Sequence, residues 1–122
     1  RVFVNGVGLS SGNSFLAATD AALNDAGKRA ALQDYVNRLA AADRWANSHV
    51  DDYSTTLAKI IGFPKEAAAK SFSRRQSHWQ RIDDATIGQQ QETADFYQKK
   101  GLIQQHLDVK PTFYQGLKVA QK

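Results

Sequence analysis

The chain has no cysteine and no methionine, and only two prolines in 122 residues. Without cysteine there are no disulfides, no thiolate metal sites and no cysteine nucleophile. No apolar run approaches the ~20 residues that a spanning helix needs. No block of like charge reaches the ~5 residues that mark a polyanion- or polycation-seeking tail. What remains is ordinary globular material, 42% hydrophobic and 23% charged, with a net charge of +4 and a pI near 9.5. That mild basicity fits a nucleic acid, an anionic surface or a small anion equally well. The length is that of one domain with one modest core.

The chain opens directly on an apolar alternation, Arg1-Val2-Phe3-Val4, without a polar lead-in or a signal segment. A strand pattern at the first residue suggests a mature fragment, or a piece of something longer whose other strands lie elsewhere. Arg1–Asn5 is expected to form a short strand, and Ser14–Thr19 a second one. Between them lie a Gly-rich turn and the small polar loop Ser10-Ser11-Gly12-Asn13-Ser14.

From Lys28 the period becomes helical. Leu32, Tyr35, Val36, Leu39, Ala42 and Ala46 form one stripe, with Asp34 and Arg38 paired outside it. Asp51 or Asp52 is expected to cap a second helix that turns Tyr53, Leu57, Ile60 and Ile61 inward and stops at Gly62. Pro64 is placed to begin a short Ala-rich helix ending near Phe72. An irregular connector, 73–82, precedes a last long helix opened by Asp83 and Asp84. Gly101 and Leu102 predict a Schellman stop in which Leu102 packs on Tyr97. Pro111 is expected to end further regularity.

The chemistry-bearing residues are sparse. His49, His78 and His106 lack any metal-ligand spacing, so no metal or cofactor is expected, and no Gly-x-Ser-x-Gly elbow is present. The carboxylates gather at helix starts, where capping accounts for them. Two segments stand out. Arg74–Arg81 interleaves arginines with His78 and Trp79; it reads as a solvated connector with Trp79 plugging the core, as an anion contact, or as a base-stacking site. The Ser10–Ser14 loop offers hydroxyls, an amide and backbone N–H groups to an oxyanion, although such a run is more often simply a turn.

The run Gln89–Ile103, with Ala94-Asp95-Phe96-Tyr97 and Gly101-Leu102-Ile103, continuing to Leu107-Asp108-Val109, resembles the last helix of periplasmic solute-binding proteins for aliphatic sulfonates, taurine and nitrate. Trp45-Ala46-Asn47-Ser48-His49 is similar to the end of that family's long helix, and the upstream segments agree in order. The similarity spans nearly all of this chain, but only about the last third of a typical member.

The resemblance implies an α/β fold: the C-terminal, helix-rich part of a two-lobed binding protein, mostly helical here with one or two short strands. Residues 1–12 would end the second lobe and cross over, and 13–122 would belong to the first lobe. It further implies a periplasmic or lipid-anchored protein, not an enzyme, that binds a small organic anion in an interlobe cleft for an ABC-type permease. The rest of the cleft would come from the remaining N-terminal part of the same protein. Asn13 is the leading contact, then Gly12 and Ser14, with Arg75 and Trp79 behind them. An amide at position 13, where a carboxylate would suit the ammonium of taurine, favours an unaminated alkanesulfonate. The rivals are an enzyme on the same scaffold, desulfinase-like or pyrimidine-synthase-like, and a small helical module binding nucleic acid through Arg74–Arg81.

Overall fold

A computed structural model describes residues 11–75 and 78–119. They form five α-helices and one short 3₁₀ helix, and no strand occurs among the described residues. The α/β expectation is therefore overturned in favour of a small all-α architecture. The Arg1–Asn5 strand lies outside the described residues. Ser14–Thr19 is irregular instead of extended in a sheet: the run finds no partner strand among them, and Asp20 opens helix α1 (Asp20–Asn24) at once. Two compact units are present, one from residues 11–20 and 81–117, the other from 21–75, 78–80 and 118–119.

In the second unit, α2 (Ala26–Ser48) starts where the Asp25 carboxylate accepts from Lys28 N–H at 2.9 Å. Its buried arc is Val36, Ala40 and Ala46, with Leu32 and Leu39 half-buried. Tyr35 and Ala42 of the expected stripe are exposed, because at 100° per residue they lie just beyond the edge of that arc. The Asp34–Arg38 pair forms at 2.7 Å and stays in solvent, where such pairs add a few tenths of a kcal/mol at most, roughly.

His49 closes α2 and opens α3 (Val50–Ile61). Its Nδ1 lies 2.9 Å from both the Trp45 carbonyl and the Ser48 hydroxyl. Its ring stacks on Trp45 at 4.8 Å and 9°. Asp51 and Asp52 fall in the first turn of α3 and do not cap it; Asp51 pairs with Lys65 at 2.7 Å.

The inward face of α3 is small, Ser54 and Ala58, and packs with α4 (Lys65–Ser73), which buries Ala68 and Phe72. Tyr53 meets Phe72 at 4.4 Å between ring centroids. Ile60 and Ile61, expected inside, are 76% and 45% exposed. They sit on the final turn, where Gly62 at φ 70 redirects the chain and Phe63 N–H bonds Ala58 C=O. Pro64 is the N-cap of α4, one residue outside its expected place.

In the first unit, α5 (Asp84–Lys99) is capped by Asp83, whose carboxylate accepts from Thr86 N–H at 2.8 Å. Ile87 and Ala94 of α5 pack with Val109, and Ile82 and Phe113 border that cluster. The exit of α5 is the expected Schellman motif: Leu102 N–H donates to Tyr97 C=O and Gly101 N–H to Gln98 C=O, both at 2.9 Å, with Gly101 at φ 71. Leu102 nevertheless remains 69% exposed, so packing on Tyr97 does not bury it. Pro111 lies inside a 3₁₀ turn, Lys110–Thr112, and does not end regularity before it.

Candidate functional site

The Gly12–Ser14 loop reaches its conformation through local backbone chemistry. Gly12 adopts φ +66, open to glycine at little cost. Asn13 N–H then meets Ser11 Oγ at 3.4 Å. Just beyond the loop, Phe15 sets its ring edge-on to Phe113 at 5.2 Å and 63°, which anchors the segment to the unit that holds α5.

The Asn13 side chain is half-buried and makes the decisive contact. Its Nδ2 donates to Gln89 Oε1 at 2.9 Å, across 76 positions of sequence. That bond uses one donor and one acceptor. Three amide N–H hydrogens remain on the pair, one on Asn13 and two on Gln89. Ser14 is exposed beside them and adds a hydroxyl. The cluster carries no charge, and beside those N–H hydrogens it keeps acceptors in the Asn13 Oδ1 and the Ser14 hydroxyl, so it can meet both donors and acceptors.

Of the residues expected at the site, Gly12, Asn13 and Ser14 lie together, and Gln89 joins them. No sequence signal pairs position 89 with position 13; only the fold does. Arg75 and Trp79 belong to the other unit. Arg75 N–H closes the turn after α4 onto Phe72 C=O at 3.0 Å, and its side chain is exposed. Trp79 is half-buried.

A neighbouring network is built on Gln91. Gln91 Nε2 donates to Asp95 Oδ1 at 2.8 Å and to Leu107 C=O at 2.9 Å, while its Oε1 accepts from Val109 N–H at 3.0 Å. Gln91 thus ties the returning chain to α5. His106 Nδ1 stands 3.7 Å from Asp95 Oδ1, a loose and exposed pair. Asp83 is held below the usual carboxylate range by the Thr86 backbone N–H first and the Thr86 hydroxyl second. Since Asp83 already serves the first turn of α5, an anion there would compete with a carboxylate.

Among the described residues no three His, Cys, Asp or Glu side chains gather as a metal site, and no helix is long and apolar enough to cross a membrane. No protein-family model, curated protein or solved structure matches the chain.

Proposed function

We propose that the protein binds a small organic anion, an alkanesulfonate by preference, and delivers it to an ABC-type importer outside the cytoplasmic membrane. The Gly12–Ser14 loop forms one wall of the site, and a further, N-terminal part of the same protein supplies the opposing wall. The protein holds its ligand without transforming it, and nucleic acid is not its partner.

The observation that carries this reading is the donor-rich, neutral amide pair of Asn13 and Gln89. A sulfonate spreads one charge over three oxygens, so three or more neutral N–H and O–H donors match it without a buried counter-ion. The course of the helices supports it too. One helix ends at Ser48 within the Trp45–His49 motif, and α5 closes at Gly101-Leu102, as in the family that the sequence resembles.

The test is calorimetric titration of the full protein with alkanesulfonates, taurine and nitrate. Alkanesulfonate is expected to bind most tightly. Asn13→Asp, which replaces a donor with a like charge, is expected to weaken alkanesulfonate by at least about tenfold and taurine by less, because a carboxylate can meet the ammonium. Equal losses for both ligands would remove Asn13 from the headgroup site.

A further inference from the structure

We propose that Gln33 on α2 is a receptor for the main chain of an extended peptide, and that Lys118 of the same chain fills it as a displaceable occupant. The site is separate from the Asn13 loop and lies in the other compact unit, to which both residues belong. Gln33 Nε2 donates to Lys118 C=O at 2.6 Å, and Gln33 Oε1 accepts from Lys118 N–H at 2.8 Å. One side-chain amide thus takes up both main-chain groups of one residue. In an extended segment those two groups point to the same side, and a hydrogen-bonded antiparallel pair satisfies them by the same exchange. Peptides added to a sheet edge are held in this way, with the sheet's main chain in place of a side chain.

The two bonds also fix the amide. Turning Gln33 over would set N–H against N–H and C=O against C=O. Its second Nε2 hydrogen is taken by Asn37 Oδ1 at 3.0 Å, one helical turn along α2. Gln33 is half-buried on a 23-residue helix, a firmer base than a loop provides. The Lys118 side chain takes no part in these bonds; the residue is exposed, and Leu117 and Val119 on either side are half-buried. What Gln33 reads is therefore main chain alone. The partner class is an extended polypeptide of any sequence without proline at the central position, since proline has no N–H to give. Tethering gives Lys118 an effective concentration on the order of mM, so an outside peptide enters only when the tail lifts.

Two substitutions at one position separate main chain from side chain. Lys118→Ala keeps both bonds to Gln33, whereas Lys118→Pro removes the N–H. The Gln33 side-chain amide resonances, observed by ¹⁵N NMR after glutamine labelling and assigned by their loss in Gln33→Leu, report the contact in the full chain. They are expected to hold their positions in Lys118→Ala and to shift in Lys118→Pro. Exchange of the Lys118 N–H is expected to accelerate about three- to tenfold in Gln33→Leu. The end-blocked peptide Gln-Gly-Leu-Lys-Val, which copies residues 115–119, is then titrated into the Lys118→Pro chain. It is expected to return the Gln33 resonances toward their original positions at roughly 1–10 mM, and the same peptide with proline in place of lysine is expected to leave them where they are.

Resonances unmoved by Lys118→Pro, or a Lys118 N–H that exchanges no faster in Gln33→Leu, would overturn the contact. An equal shift in Lys118→Ala would mean that the lysine side chain is recognised, and would overturn main-chain reading. A peptide without effect on the Lys118→Pro chain up to about 10 mM would overturn the receptor role. No anion enters these measurements, so anion binding stands or falls separately.

Discussion

At the scale of single residues, the least expected finding is Ser54. Its side chain is fully buried in α3 and its Oγ has no hydrogen-bond partner among the described residues. A buried hydroxyl without a partner costs about 1–3 kcal/mol of desolvation, and serine is also a poorer helix former than alanine. Ser54→Ala is therefore expected to stabilise the chain by about 1 kcal/mol, read as a higher urea midpoint at unchanged slope. Gln91 is the opposite case, since its one amide makes three hydrogen bonds. Gln91→Leu leaves the Leu107 carbonyl and the Val109 N–H without their partner and is expected to cost about 1–3 kcal/mol. Hydrogen exchange at Val109, which is 4% exposed, should accelerate accordingly. Neither result was legible in the sequence. Ser54 looks like any helical serine, and the partners of Gln91 lie 16 and 18 residues away.

At the scale of elements, the punctuation was legible and the facing was not. Gly62, Asp83 and Gly101 work through bonds to residues within five positions, so their roles follow from local chemistry, whereas the Asp25 cap was missed and the cap expected at Asp51 or Asp52 did not form. The inward faces depend on what packs across from them. Ala68 and the small pair Ser54 and Ala58 let α3 and α4 approach closely, and the larger Ile60 and Ile61 are left outside. The strand expected at Ser14–Thr19 failed for a related reason: an apolar run becomes a sheet only if another strand accepts its hydrogen bonds. Two predictions belong here. Gly101→Ala places a Cβ at φ 71, where nothing crowds it, so its cost is conformational alone, about 1–2 kcal/mol. Gly101→Asn should cost less, and a thermal melt of the two variants orders them.

Asp83 gives the pH dependence. Its pKa in the folded chain lies below the ordinary 3.8, because Thr86 bonds the ionised form. A carboxylate lowered on folding contributes stability that is complete above the unfolded value and drains as pH falls through the folded one. Asp83→Asn keeps a capping oxygen but cannot ionise. Urea midpoints compared between roughly pH 5 and pH 2.5 should fall less for this variant than for the parent. Equal falls would mean that Asp83 contributes nothing to acid sensitivity.

At the scale of the whole molecule, α2 to α5 were read in order from local signals, while α1 was missed and the fold class was wrong. The loop at Asn13 was marked by composition and by resemblance, whereas its partner Gln89 emerges only once the chain is folded. Arg75, prominent in the sequence, proves to be an exposed residue of the turn after α4. Arg75→Ala is therefore expected to leave the stability within about 0.5 kcal/mol of the parent. The central claim is that neutral amide donors on this chain help to hold an oxyanion, and calorimetric titration of the full protein with an alkanesulfonate tests it most directly. A single saturable site, weakened at least about tenfold by Asn13→Asp, is the result expected. The absence of saturable binding, or binding indifferent to that substitution, would contradict it.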